Sequence, residues 1–302
     1  MQSSEGEISF AIPGVKEQCF TWYKTVGDIK RATPLIFLHG GPGAGHEDHF
    51  HLAETLESGN IPTIWYDQIG CGNSSRIMEK AEDEKFWGLD LFCAELDNLV
   101  DSLGLRDGFY LLGHSWGGML ASTYAGRQPR GLKKLVIACS MANSTIVNKE
   151  LERLFRALPV SDEVMQMDAD EDYDNPVYQE ARDRFVKKHF CTLDPLPPVL
   201  TSAKWEDSTK MWPSNGRKGF SMIRKPGFMG RYDATETAGN INVPVLLLSG
   251  RHDTNNDVIM RPWFELVPRV KWAVLEKSAH FPALEEPERY AELLKSFLAQ
   301  AP

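Results

Sequence analysis

One serine lies between glycines in the sequence GHSWG at residues 113–117. An apolar run at residues 109–112 precedes Ser115, and residues 119–127 after it favour a helix. A serine in this pattern occupies a strained turn between a strand and a helix, where flanking side chains would collide with neighbouring backbone. A five-residue pattern also arises by chance, but its context here predicts that Ser115 is a nucleophile.

A serine hydroxyl attacks a carbonyl only beside a general base, and the base needs a carboxylate to orient it. Asp253 follows the apolar run at residues 245–248, and His280 follows the run at residues 272–275. The carboxyl ends of parallel strands meet at one edge of a sheet. We therefore expect Asp253 as the acid and His280 as the base of a Ser-His-Asp triad.

Two nearby residues are rivals for these roles. Asp257 is an alternative acid, but it lies further from the strand end than Asp253 does. His114 adjoins the serine, yet it should point to the wrong side of the turn to act as the base. We expect His114 to pack in the core.

The glycine-rich sequence HGGPG at residues 39–43 follows another apolar run. Glycines let backbone N–H groups approach a ligand closely, and an acyl-transfer transition state develops negative charge that such donors stabilise. The N–H groups of Gly41 and Trp116 are the expected oxyanion donors, and His39 and Gly40 are candidate substrate-binding residues. A phosphate-binding loop is the alternative, but G-x-G-x-x-G and G-K-[ST] endings are both missing.

A second glycine-rich turn, DQIGCGNS, occupies residues 67–74. We expect Asp67 and Ser74 to brace its backbone, and Cys71, which lacks an evident base, to be a bystander thiol. The chain has 5 cysteines, scattered and without a C-x-x-C pair, which favours free thiols over a disulfide framework or a zinc site. Neither a metal nor a cofactor is expected.

The composition is that of a globular chain with 302 residues, 42% of them hydrophobic, and a net charge of -9. The acidic balance opposes binding to nucleic acid and to anionic membranes. Residues 1–7 do not have the pattern of a signal peptide, and no stretch is long enough to span a bilayer. These features predict a cytoplasmic protein that acts on a small molecule or short peptide, and they leave its oligomeric state open.

Short apolar runs alternate with helical patterns along most of the chain, which is typical of the α/β class with a mostly parallel sheet. An opening antiparallel hairpin is expected at residues 7–12 and 19–26. Helices are expected at residues 90–103 and 288–299, where apolar residues recur at helical spacing. The expected strands are residues 35–38, 63–66, 109–112, 135–138, 245–248 and 272–275.

The short apolar runs typical of strands are missing from residues 141–237. This predicts a helical cap inserted into a core formed by residues 1–140 and 238–302. Helices are expected within it at residues 147–158 and 177–190. Tryptophan and methionine are frequent in its second half, where Trp212 is a candidate substrate-binding residue. The same residues could instead form the packed interior of the cap.

Together the sequences at 39–43, 67–74 and 113–118, with those around Asp253 and His280, resemble the α/β-hydrolase superfamily and, within it, the proline iminopeptidase family. The resemblance implies an α/β-hydrolase fold with a helical cap over the site. It also implies that Ser115 is the nucleophile, with the amides of Gly41 and Trp116 as the oxyanion hole. The activity implied is that of a serine aminopeptidase or amino-acid amidase.

That family binds the α-amino group of its substrate through acidic residues of the cap and beside the catalytic acid. Here the matching cap sequence, KPGF at 225–228, has no glutamate, and Thr254 follows Asp253. Asp168, Asp170, Glu206 and Asp207 are candidate replacements in the cap. The sequence thus predicts cleavage of a small amide or peptide through an acyl-enzyme, with an esterase or lactonase as the alternative. A binding protein without catalysis is disfavoured because every catalytic residue type is in place.

Overall fold

A single sheet of 8 strands, in the order β1-β2-β4-β3-β5-β6-β7-β8, forms the centre of the computed structural model. The structure describes residues 2–81, 83–159, 161–201 and 229–300. The strands are β1 Ser3–Phe10, β2 Cys19–Val26, β3 Leu35–Leu38, β4 Thr63–Tyr66, β5 Phe109–His114, β6 Leu132–Ala138, β7 Val245–Gly250 and β8 Val270–Leu275. The pairs β1–β2 and β2–β4 are antiparallel and the others are parallel. The predicted α/β class with a mostly parallel sheet is confirmed.

Both faces of the sheet are buried at β3, β4, β5, β6 and β7, which explains why these strands are apolar at consecutive positions. In β3, Ile36 and Leu38 belong to one hydrophobic cluster, whereas Leu35 and Phe37 belong to a second. Helices cover both clusters. They are α1 Ala53–Glu57, α2 Leu89–Ser102, α3 Trp116–Gly126, α4 Ser144–Arg156, α5 Ser161–Ala169, α6 Pro176–His189, α7 Asp257–Leu266, α8 Pro282–Glu285 and α9 Pro287–Ala299.

The first strand was predicted wrongly at residues 7–12, since β1 begins at Ser3 and ends at Phe10. It pairs with β2 from Ser3 opposite Val26 to Phe10 opposite Cys19. Its first residues are polar and exposed because β1 is an edge strand. Strand formation there depends on backbone pairing with β2, which leaves no hydrophobic pattern in the sequence.

Among the described residues between β6 and β7, in the stretch predicted as a cap, lie the helices α4, α5 and α6. Asn143 and Asn175 cap α4 and α6, so both helices begin before the predicted positions. The sequence did not predict α5, a short helix with few apolar residues. The division of the chain into core and cap stays a prediction. Within the described ranges, no helix has the length and apolar character needed to cross a membrane.

A buried glutamate, Glu95 of α2, joins three parts of this core. Its Oε1 accepts hydrogen bonds from the Thr21 hydroxyl at 2.6 Å and the Ile69 N–H at 2.8 Å. Its Oε2 has no hydrogen-bond partner among the described residues. Burial raises the pKa of Glu95 from 4.5 to about 8, although the Thr21 and Ile69 hydrogen bonds oppose the change.

Replacing Glu95 should therefore change how stability depends on pH. The folded chain keeps this proton at pH values where the unfolded chain has released it. The stability that this group contributes is present below pH 4.5 and is lost as the pH rises towards 8. The loss amounts to at most about 1.4 kcal/mol per pH unit. Glu95→Gln, which stays neutral, should remove that part of the slope in urea unfolding measured between pH 5 and 8.

The exposed Glu288 of α9 provides the control. Glu288→Gln should unfold with the pH dependence of the unchanged chain. An identical slope for Glu95→Gln and the unchanged chain would contradict the raised pKa.

Candidate active site

Ser115 lies in the tight turn that joins β5 to α3. Its φ of 54° and ψ of -118° place it in a region that residues other than glycine rarely adopt. A Cβ atom on Gly113 would collide with the carbonyl of Gly117, and one on Gly117 would collide with the carbonyl of Leu38. Glycine is thus required on both sides of the serine, and the GHSWG sequence forms the strand-turn-helix arrangement that was predicted.

Asp253 and His280 lie close to Ser115. Asp253 is in the loop after β7, and His280 is in the loop after β8. The His280 Nε2 lies 3.0 Å from the Ser115 Oγ, and the His280 Nδ1 lies 2.8 Å from the Asp253 Oδ1. Asp253 is 1% exposed and His280 is 7% exposed. A carboxylate can only accept, so Nδ1 carries the imidazole proton and Nε2 is the acceptor for the serine hydroxyl.

The rival acid, Asp257, lies elsewhere. It is the first residue of α7, and its carboxylate forms an ion pair with Arg251 at 2.9 Å. Its side chain is half exposed, and Arg251 in turn pairs with Glu276 on the surface. The structure thus brings Asp253, and not Asp257, to the histidine.

Residues after Asp253 fix the orientation of its carboxylate. The Asp253 Oδ1 accepts the backbone N–H of Asn255 at 2.9 Å and the hydroxyl of Thr254 at 3.1 Å. The Asn255 side chain donates to the carbonyl of Cys139 at the end of β6, at 2.7 Å. Asn255 was not predicted as part of the site, although a segment rich in Asp and Asn after a strand is typical of such a turn.

His114 binds the backbone of His280. It is buried, as expected, and its Nε2 donates to the carbonyl of His280 at 2.7 Å. Burial, with the neighbouring His49 and His280, lowers the pKa of His114 well below its ordinary value. The His114 Nδ1 has no hydrogen-bond partner among the described residues, so neither nitrogen of this imidazole contacts the Ser115 hydroxyl.

The end of α6 contacts the same loop from the other side. The Phe190 carbonyl accepts the His280 N–H at 3.0 Å, and the Phe190 ring stacks on the His280 imidazole with centroids 5.6 Å apart. The His189 Nδ1 donates to the carbonyl of His252 at 2.7 Å, and the Thr254 N–H donates to the carbonyl of His189 at 3.2 Å. These contacts join residues far apart in the chain, so no sequence pattern indicated them.

Gly41 and Trp116, the expected oxyanion donors, line one pocket together with Ser115 and His280. Gly41 has a φ of 112°, and a Cβ there would press on the backbone N of Gly43. The described lining does not include His39 or Gly40. His39 is fully buried behind the loop, where its Nδ1 donates to the Gly40 carbonyl. The third predicted substrate-binding residue, Trp212, lies outside the described residues.

The rest of the described lining is apolar apart from two neutral polar residues, Thr254 and Asn255, and it contains no carboxylate. The apolar residues are Met119, Met141, Val147, Leu151, Phe190 and Met229.

Neither of the two described candidates for binding an amino group, Asp168 and Asp170, is part of the pocket lining. Asp168 is buried and accepts the hydroxyl of Tyr178 at 2.8 Å, and Asp170 accepts from Gln166 on the surface. Glu206, Asp207 and the KPGF sequence at 225–228 lie outside the described residues.

The cysteines are buried free thiols, as predicted. Burial raises the pKa of Cys71 well above its ordinary value, and Asp67 and Glu95 add to that effect. Cys71 therefore remains a protonated thiol at neutral pH and is a poor nucleophile. This agrees with its prediction as a bystander.

In the described part of the chain, two groups of side chains have potential metal-ligand atoms within 4.8 Å of one another, His114-Cys139-His280 and Asp48-His49-His114. In the first, the His280 nitrogens already face Ser115 and Asp253, so metal binding would break the contacts described above. In the second, burial opposes the charge of Asp48, but His49 at 3.0 Å offsets this and lowers the pKa of Asp48. That carboxylate therefore already faces an imidazole.

Comparison with known proteins places this geometry in a family. A model of the alpha/beta hydrolase fold matches residues 33–195. A proline iminopeptidase of Lactobacillus delbrueckii subsp. lactis is 33% identical over 92% of this chain and 94% of its own length.

Two solved structures superpose along nearly the whole chain. The crystal structure of VinJ is 34% identical with a TM-score of 0.87, covering 98% of both chains. That of proline iminopeptidase from Mycobacterium smegmatis is 28% identical with a TM-score of 0.88, covering 98% of this chain and 97% of the other. The chain therefore belongs to the α/β-hydrolase family, and it is a hydrolase that resembles the proline iminopeptidases.

Proposed function

We propose that the protein is a serine hydrolase that forms an acyl-enzyme on Ser115. His280 acts as the general base, and Asp253 orients it. The observation that carries the proposal is the continuous chain of contacts from the Ser115 Oγ through both His280 nitrogens to the Asp253 carboxylate, at 3.0 Å and 2.8 Å. These distances are those of a nucleophile and base within hydrogen-bond reach.

The reaction follows from the assigned proton positions. The Ser115 Oγ attacks the substrate carbonyl as its proton passes to the His280 Nε2, and the carbonyl oxygen becomes an oxyanion facing the N–H groups of Gly41 and Trp116. The imidazolium then gives its proton to the leaving group, and the carbon–leaving-group bond breaks. Water, deprotonated by the same Nε2, hydrolyses the acyl-enzyme. Asp253 stabilises the imidazolium without taking its proton.

A small amide or the N-terminal residue of a short peptide is the substrate that we favour. Its support is the full-length similarity to proteins named proline iminopeptidase, at 28% to 33% identity. The pocket beside Ser115 and the apolar side chains that line it suit a compact acyl group.

An ester or lactone is the second candidate, because the described part of the pocket lining offers no carboxylate to a substrate ammonium group. Burying an ammonium against methionine, leucine and phenylalanine without a partner is costly. A neutral acyl group would meet the same surface without that cost.

The nucleophile assignment predicts the behaviour of two matched serine variants. Ser115→Ala should lose turnover by roughly 10⁴- to 10⁶-fold and should not react with a fluorophosphonate probe, because the attacking oxygen is gone. Ser122→Ala removes a buried hydroxyl of α3 that bonds the Gly118 carbonyl, and it should still react. Mass spectrometry of the labelled peptide identifies the modified residue. Labelling of the Ser115→Ala chain would contradict the assignment.

Two aspartate variants separate the acid from its rival. Asp253→Asn should lower kcat by about 10⁴-fold, since an amide can hold the imidazole in the wrong tautomer. Asp257→Asn breaks only the half-exposed pair with Arg251 and should leave kcat nearly unchanged. The measurement is steady-state hydrolysis of a p-nitrophenyl ester at neutral pH. Equal losses in both variants would exclude Asp253 as the specific acid.

A substrate series distinguishes the two candidate functions. We expect the chain to cleave aminoacyl-naphthylamides, the prolyl compound among them, because the similarity favours an amide. Short p-nitrophenyl esters provide the comparison, and Ser115→Ala controls for background hydrolysis of both. Cleavage of esters alone would contradict the peptidase assignment and leave the esterase.

A further inference from the structure

Gln68 lies between the two segments that carry the proposed oxyanion donors. It follows β4 by two residues and is fully buried. Its side-chain Nε2 donates to the carbonyl of His39 at 3.3 Å, and its Oε1 accepts the indole Nε1–H of Trp116 at 2.7 Å. One amide therefore bridges the loop that leads into Gly41 and the residue that follows the nucleophile.

The orientation of this amide is fixed by chemistry. An indole N–H can only donate and a backbone carbonyl can only accept, so the oxygen of Gln68 must face Trp116 and its nitrogen must face His39. With the amide reversed, its nitrogen would face the indole N–H of Trp116, so that two donors meet. Its oxygen would face the carbonyl of His39, so that two acceptors meet. Both neighbours are fully buried, so water is not at hand to replace either bond.

The backbone of Gln68 adds a third contact to the same loop. Its N–H donates to the His39 Nε2 at 3.0 Å, so the His39 Nδ1 must carry the imidazole proton. That Nδ1–H donates to the Gly40 carbonyl at 2.9 Å. Gln68 thus binds His39 directly. Through the His39 side chain it also fixes the position of the Gly40 carbonyl.

We propose that Gln68 is a positioning residue that sets the separation between the N–H groups of Gly41 and Trp116. The inference rests on the proposed function, in which these two groups stabilise the oxyanion. Such donors act only when they lie about 2.7–3.1 Å from the developing charge, so a small shift of either segment weakens both the geometry and the rate. Gln68 does not contact the Ser115 side chain and is not itself among the residues that line the pocket. It acts through its hydrogen bonds to Trp116, which lines the pocket, and to His39.

A double-mutant cycle tests the bridge. Gln68→Leu removes the amide, and Trp116→Phe removes the indole N–H from which the amide accepts, together with the atoms by which indole exceeds phenyl. Each should lower kcat for p-nitrophenyl acetate, and the rate of labelling by a fluorophosphonate, by about 10- to 100-fold, less than the loss of a whole donor costs. KM should change little. Adding Trp116→Phe to Gln68→Leu should cost nothing further, because the bond is already gone.

Trp65→Phe is the matched control. Trp65 of β4 is as buried as Trp116, and its indole N–H donates to the Thr63 hydroxyl at 2.7 Å, away from the pocket. Trp65→Phe removes the same ring atoms as Trp116→Phe and also one buried hydrogen bond. It therefore controls for a general loss of folding stability. Its kcat and labelling rate should match those of the unchanged chain.

The outcomes separate this inference from the function on which it rests. Failure of the unchanged chain to label at Ser115 would overturn the proposed function and the role of Gln68 with it. If the unchanged chain is labelled at Ser115 and both Gln68→Leu and Trp116→Phe are labelled at the same rate as it is, the role of Gln68 alone would be overturned. Losses that multiply in the double variant would also overturn the bridge. If Gln68→Leu does not fold, the comparison of Trp116→Phe with Trp65→Phe decides the question.

Discussion

The close approach of backbone around Ser115 is the constraint on which the rest of the site depends. Strand β5, helix α3 and the end of β3 come so near to one another that Gly113 and Gly117 have no space for a Cβ atom. Ser115 adopts an unfavourable positive φ, and in this conformation its side chain lies at the pocket. Because β3 also leads into the loop with Gly41, the same contact sets where the nucleophile and that loop meet.

The parallel sheet brings the other reactive groups to this point without long side chains. Loops after β7 and β8 carry Asp253 and His280 to the same edge as Ser115. Around them lies a set of buried histidines and amides whose hydrogen bonds fix proton positions. His114 donates to the carbonyl of His280 and His39 donates to the carbonyl of Gly40, whereas His280 faces Ser115.

Much of this arrangement could be predicted from the sequence, because local patterns determine it. Continuous apolar runs indicated the parallel strands, and short polar segments after them indicated Ser115, Asp253 and His280. Residues whose contacts depend on packing were missed. Phe190 stacks on His280 although the two residues lie far apart in the chain, and Gln68 meets Trp116 only because the loop after β4 approaches the start of α3. The strand β1 was misplaced because pairing, rather than hydrophobicity, defines its exposed edge.

The contacts at the end of α6 have a mechanical consequence. His189 and Phe190 are bonded to both loops that present the acid and the base, through His252, Thr254 and His280. A helix attached in this way cannot swing outward to admit a substrate without pulling on the loop that carries His280, the proposed base. Access to the pocket and readiness of the base are therefore coupled, and any opening motion that spares the reaction must hinge beyond this attachment.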